Sequence, residues 1–203
     1  MAEDPLPAVP DDELLRRISA ADAEAFAALF RRHYGSVYRF ALHMTGESAP
    51  AEDVTQDVFV AVMRDAARYE PGRSPVAAWL CGIARNVARQ RLDRERRIVP
   101  LEAPEEGSDE RLTVRTDPIG DLARAARLAE LRKAVLSLPV AYREVVVLCD
   151  LEEFSYADAA GAIGCAVGTV RSRLHRARAL LAAKLTGSRA GQAPASSRMR
   201  YLA

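Results

Sequence analysis

The stretch from Ser155 to Leu185, SYADAAGAIGCAVGTVRSRLHRARALLAAKL, constrains the chain more than any other. It divides at a glycine into two short helical runs, and the second run is basic. Ser155 and Asp158 make a capping-box-like start, in which a hydroxyl and a carboxylate satisfy free backbone donors of a first helical turn. Ala160, Gly164 and Val170 follow four and then six residues apart. They supply a small residue where two helices touch, a glycine able to take positive φ, and an apolar anchor on the next helix. This is helix-turn-helix spacing.

On the second helix Val170, Leu174, Ala177 and Leu181 recur at steps of four, three and four, which at about 100° per residue gives one narrow apolar stripe. Ser172, His175 and Arg176 point away from that stripe, with Arg171 and Arg178 on one flank and Arg173 on the other. No acidic residue occurs from Gly168 to Leu185. Hydrogen-bonding tips on an outward ridge suit base edges in a major groove, and cations on both shoulders suit the phosphates of its walls. A solvated basic face is the bland alternative. It leaves the turn spacing and the one-sided charge as coincidence, so DNA binding is the expectation.

A chain of 203 residues, 49% hydrophobic and 28% charged, holds one sizeable core or two small ones. It has no long apolar run, and its start, MAEDPLPAVPDDELL, is acidic where a secretory signal is basic and then apolar, so a cytoplasmic protein without a membrane span is expected. The net charge of +1 conceals segregated charges. Cys81, Cys149 and Cys165 fit neither a disulfide framework nor a zinc site and are expected as small apolar residues. Helical spacing turns Cys81 away from the apolar face. His33, His43 and His175 have no metal-pair spacing and no glycine-rich phosphate loop follows a strand, so neither an enzyme nor any metal or cofactor is expected.

Before the basic motif the pattern is helical throughout. After an acidic, proline-containing start, a short helix is expected from Asp11 or Asp12. Phe26, Leu29, Phe30, Tyr34, Val37, Tyr38, Ala41 and Leu42 keep step to a stop at Gly46, with His33 a satisfied residue at the core edge. Val54, Val58, Ala61 and Val62 make the core stripe of the next helix, leaving Asp53, Gln56, Asp57 and Val60 outward or sideways. That face suits a protein partner, and a plain solvated surface fits it nearly as well. Ser74 and Pro75 then start a helix whose core residues are Val76, Trp79, Leu80, Ile83 and Val87, with Arg85, Arg89 and Arg96 opposite. The acidic, aperiodic run between about Ile98 and Pro118 is expected as a flexible linker. Leu122, Ala125, Ala126 and Ala129 mark a further helix ended by Leu138-Pro139, and the valine-rich run from Tyr142 to Leu151 is expected as a buried helix. The tail beyond Thr186 is expected to be disordered.

Two basic helical units on a tether match a known family. AEDVTQDVFV, SPVAAWLCGIARNVARQRLDRERR and LPVAYREVVVLCDLEEFSYADAAGAIGCAVGTVRSRLHRARALL occur in that order, and the chain resembles an extracytoplasmic-function (group IV) sigma factor of bacterial RNA polymerase, in the sigma-70 family. The resemblance implies an all-α protein of two small bundles: sigma region 2 at 25–97 and sigma region 4 at 119–186. Between them lies a linker at 98–118, with a tail and short helix at 1–24 and a C-terminal tail at 187–203. It implies that Asp53, Gln56 and Asp57 dock on the clamp of the largest polymerase subunit, and that region 4 meets the flap of the second-largest. The loop from Tyr69 to Ser74, with Arg73, would capture a flipped minus-10 base while Arg85, Asn86 and Arg89 lie along the strands. Ser172, His175 and Arg176 would read the minus-35 element, with Arg171, Arg173 and Arg178 on phosphates. Trp79 has Leu80 where housekeeping relatives carry a second tryptophan, so a core role is expected for it. Control by an anti-sigma factor that covers both basic units is a further expectation. The rival is a helix-turn-helix regulator acting without polymerase, which leaves the Asp53, Gln56 and Asp57 face without a use.

Overall fold

The structure, a computed structural model, describes residues 9–98 and 118–191. Residues 1–8, 99–117 and 192–203, where much of the expected tails and linker falls, lie outside the described residues. Helices α1 (Asp11–Ser19), α2 (Ala23–Thr45), α3 (Ser48–Asp65) and α4 (Val76–Ile98) make a first bundle. A second is made by α5 (Pro118–Leu136), α6 (Val140–Val146), α7 (Tyr156–Ile163) and α8 (Val167–Gly191). Helix α8 runs to Gly191, past the expected boundary at 186. A 3₁₀ turn, Ala66–Arg68, follows α3, and a π turn, Val147–Leu151, continues α6.

Local chemistry sets the helix ends. Asp22 caps α2 by accepting from the Glu24 and Ala25 amides at 2.9 and 3.0 Å. Gly46 ends the helix in the left-handed region at φ 91°, its amide donating to the Leu42 carbonyl. His33 Nε2 lies 2.7 Å from the Asp11 carboxylate, which fastens α1 to α2 and leaves the histidine satisfied. The valine run is a helix. Val145, Val146, Val147 and Leu148 are all buried, so its continuous hydrophobicity reflects a helix covered on every side rather than a strand.

One expectation shifts, and one helix shows its period without a core. The alanines that mark α5 are helical as expected, but Ala125 and Ala126 are exposed and Ala129 is half-buried. Burial of α5 begins only near its end, at Leu131, Ala134 and Val135, where α6 and α8 cover it. On α4 the buried positions are Val76, Ala78, Leu80, Cys81, Ala84 and Ala88, while Trp79, Ile83 and Val87 are half-buried. Cys81 therefore does not face away from the core. The physical reason is that α4 packs against α2 and α3 on one side and α7 on the other, so a position opposite one apolar stripe still meets protein.

The seam between the bundles is rich in charge. Arg143 of α6, only 8% exposed, donates to the Met44 carbonyl at the end of α2 at 2.5 Å and to the Leu136 and Leu138 carbonyls at the end of α5. Arg39 of α2 pairs with Glu152 at 3.3 Å, and burial raises the Glu152 carboxyl above its ordinary range. Glu144 is fully buried against Arg85 and Arg89 of α4 at 3.0 and 3.4 Å.

Gly46→Ala should lower stability by about 1–2 kcal/mol, since an L-residue is strained at this φ and its Cβ would stand 2.9 Å from Leu136 Cδ1. A urea titration monitored by circular dichroism measures this. Burial pushes the Cys81 thiol up to about 12, with Glu152 adding to the shift. The native chain should therefore leave Cys81 unreactive to a disulfide reagent at about pH 8, and denaturant should release it. Because the folded value is raised, this contribution to stability is complete below the ordinary thiol value near 8.5 and is lost as pH rises towards about 12. Cys81→Ala should flatten that alkaline loss.

Candidate nucleic-acid interface

The recognition surface is built from the turn outward. The Asp158 amide donates to Ser155 Oγ at 3.1 Å, and that hydroxyl donates to Asp158 Oδ2 at 2.6 Å, closing the start of α7. Gly164 at φ 73° ends α7, with the Gly164 and Cys165 amides both donating to the Ala160 carbonyl. Val170, Leu174 and Ala177 are buried and Leu181 is half-buried, so the apolar stripe fixes the rotation of α8. The opposite ridge is thereby turned out. Arg171, Ser172, His175, Arg176 and Arg178 are exposed and Arg173 is half-buried.

Three side chains on this ridge already have local contacts. Ser172 Oγ donates to the Thr169 carbonyl at 3.1 Å, which leaves its oxygen free to accept. The Arg171 guanidinium stands 5.9 Å from the centre of the Tyr156 ring, an exposed cation–π contact. Arg178 makes a two-pronged pair with Asp150 at 2.5 and 3.1 Å, which raises its pKa. That carboxylate orients the guanidinium and also competes with any phosphate for it.

The second candidate surface is the loop before α4. The Tyr69 hydroxyl donates to the Ser74 carbonyl at 2.8 Å, and its ring meets Trp79 edge-on at 5.6 Å. Burial raises the Tyr69 phenol, with Asp12 and Asp11 adding to it, so the donor stays protonated through neutral pH. A cavity of about 280 Å³ opens here, with Tyr69, Arg73, Ser74, Trp79 and Asn86 on one wall and Gly161 and Ala162 of α7 on the other. Trp79 is half-buried, packing on the core while also lining this cavity. Arg85 donates to Asn86 Oδ1 at 3.1 Å and is held at 14% exposure by the contact with Glu144.

On α3, Asp53, Gln56 and Asp57 are exposed beside Val60 and Met63, which are 49% and 55% exposed. Asp53 pairs with Arg91 of α4 at 2.7 Å, and Arg91 pairs in turn with Glu95. The three groups of predicted residues therefore stand on α8, on α4 with the loop before it, and on α3.

Sequence reasoning missed Glu144, Arg143 and Gly82. The signal was the dipeptide Arg143-Glu144 inside the valine-rich run, where two charges on a buried helix call for specific partners. No group of residues able to hold a metal occurs among the described residues, and no helix among them is long and apolar enough to cross a membrane.

Residues 29–98 match the family model Sigma-70 region 2, and residues 128–181 match Sigma-70, region 4. The chain is 38% identical over 151 residues to the ECF RNA polymerase sigma factor SigE of Mycolicibacterium smegmatis. That match takes in 74% of this chain and 57% of the relative, a little over half its length. It is 36% identical over 177 residues to the ECF RNA polymerase sigma factor SigM of Mycobacterium tuberculosis, covering 85% of this chain and 83% of that one. Among solved structures, the sigma factor RpoE from Bartonella quintana, in complex with the anti-sigma factor NepR, superposes with a TM-score of 0.64 at 26% identity. The superposition covers 81% of this chain and 98% of that one.

Tyr69→Phe should remove the latch that closes the loop onto Ser74 without emptying the ring's place against Trp79. Trypsin should then cleave after Arg73 several-fold faster, corresponding to loss of a hydrogen bond contributing about 1 kcal/mol to local closure.

Proposed function

Because the chain belongs to the ECF sigma factors of the sigma-70 family, we propose that it binds core RNA polymerase in the cytoplasm and directs initiation at promoters carrying minus-35 and minus-10 elements. The observation that carries this reading is the pairing of an outward arginine ridge on α8, a helix with no acidic residue of its own, with a separate aromatic-lined cavity before α4, in the family's order. A double-helix reader and a single-strand pocket on one chain are what a two-part promoter requires. The role is recognition and positioning, without bond-making chemistry of its own.

Each face has a part. Asp53, Gln56 and Asp57 present acceptors and an amide to the clamp of the largest subunit, and the neighbouring Val60 and Met63 supply the apolar centre that such a contact needs. The second bundle rests on the flap of the second-largest subunit. Ser172, His175 and Arg176 read minus-35 base edges, while Arg171, Arg173 and Arg178 hold phosphates. Extruding a minus-10 base costs a few kcal/mol, returned by stacking in the cavity of Tyr69, Arg73, Ser74 and Trp79 and by backbone contacts from Arg85, Asn86 and Arg89. RpoE of Bartonella quintana was solved with an anti-sigma factor, which supports a similar protein controlling this chain.

Purified core polymerase supplied with this chain and a randomised promoter library should start transcription at a discrete two-part sequence. Absence of any start dependent on the chain overturns the proposal. Arg176→Ala should cost about 1–3 kcal/mol at one upstream base pair and relax selectivity there, whereas Arg173→Ala should weaken all sequences alike and reduce the salt dependence. Competition binding of the holoenzyme to single-base promoter variants separates the two.

A further inference from the structure

Of the cations on the α8 ridge, Arg178 alone has a carboxylate partner among the described residues. Its Nε and Nη2 donate to the two oxygens of Asp150 at 3.1 and 2.5 Å, so one edge of the guanidinium is taken by a residue 28 positions earlier in the chain. Most exposed ion pairs define little geometry, because both side chains are loose. Here both backbones are pinned. Asp150 stands in the π turn with Val147 and Leu148, which are 0% exposed, and Arg178 follows Ala177, also 0% exposed and part of the stripe that seats α8.

A guanidinium has five N–H donors, and Asp150 uses two of them. The Arg178 side chain is 55% exposed, so its Nη1 end stays within reach of an acceptor outside the protein. A phosphate can then meet it in two ways. It can take the Nη1 end while Asp150 keeps the other edge, which requires the DNA backbone to lie at one position relative to α8. Alternatively it can displace Asp150 and draw the side chain to wherever the backbone lies, which strands a carboxylate beside a polyanion. The first way suits a duplex on which Ser172, His175 and Arg176 have found their base edges. The second is what an unmatched duplex offers. Phosphate contacts carry no sequence information by themselves, but one tied to a fixed carboxylate depends on register.

We propose that Asp150 is a specificity-determining positioning residue: acting through Arg178, its carboxylate withholds that cation from duplexes on which α8 is out of register and leaves it available to one phosphate of a matched minus-35 element. Asp150 touches no DNA in this role. It lowers binding to the wrong sequences rather than raising binding to the right one. The proposal rests on the reading of the α8 ridge as the double-helix reader.

The brake is measured first on the full-length chain without polymerase, using a fluorescent mixed-sequence duplex of about twenty base pairs. Asp150→Asn, which keeps the shape and removes the charge, should bind this duplex about threefold tighter than the parent. The slope of log affinity against log salt should steepen by about one unit as Arg178 gains a phosphate. In an Arg178→Ala background the same substitution should change neither quantity. Unchanged affinity in Asp150→Asn, or a gain that persists without Arg178, overturns the proposal, the latter because the carboxylate then acts as a plain negative charge. Holoenzyme is measured next, on a promoter drawn from the library and on the same promoter with its upstream element scrambled. Asp150→Asn should gain about threefold on the scrambled promoter and leave the matched one unchanged, so that discrimination falls by that factor. An equal gain on both overturns the specificity role. A chain that shows the Arg178-dependent brake on the mixed duplex yet starts no transcript with core enzyme defeats the sigma-factor reading and leaves the Asp150 brake standing.

Discussion

One guanidinium ties the architecture together. Arg143 projects from α6 to the ends of two other helices, donating to Met44 of α2 and to Leu136 and Leu138 around the end of α5. Carbonyls at a helix C-terminus have no intrahelical donor and carry the negative end of the helix dipole, so a cation placed there satisfies bonds and field at once. A lone buried arginine would cost several kcal/mol in desolvation. Spread over three carbonyls it instead fixes how α6 stands against both α2 and α5. Helix α8 packs on α6, and α7 packs on α8 and on α4.

The charges of this chain divide by environment rather than by type. On α8, Arg171, Arg176 and Arg178 stand in solvent with an apolar stripe beneath them, free to exchange a weak local partner for a phosphate. Across the seam, Arg39, Arg85 and Arg143 are bound to carboxylates or carbonyls of the other bundle. Exposed pairs such as Arg178 with Asp150 contribute little and screen easily, whereas buried ones set geometry. A net charge of +1 is thus compatible with a nucleic-acid protein, because most of the compensating acid is placed away from the α8 ridge.

Helices and turns were legible because their causes are local. Gly46 and Gly164 both take positive φ where the pattern stops, Ser155 caps with Asp158, and the stripe of Val170, Leu174 and Ala177 is buried as its spacing requires. The α8 ridge followed directly, since burying one face of a helix decides which residues the other presents. Less was legible wherever a helix meets more than one neighbour. Periodicity identifies a single apolar stripe, and α4 has cover on opposite sides, so Cys81 is buried where spacing put it outside. Ala125 and Ala126 show the converse: a stripe of alanine satisfies the period whether or not anything packs on it.

Order along the chain, the turn, the caps and the basic outward ridge were determined by the sequence alone, because each depends on residues within a turn or two of one another. Only the tertiary structure decided that Glu144 faces Arg85 and Arg89, that Gly82 stands close against the Ala162 backbone, and that Arg143 reaches three carbonyls. Those contacts join positions far apart in sequence. A charged residue in a buried helix announces that it needs a partner, but which one it finds depends on the docking of whole helices, and no local pattern carries that information.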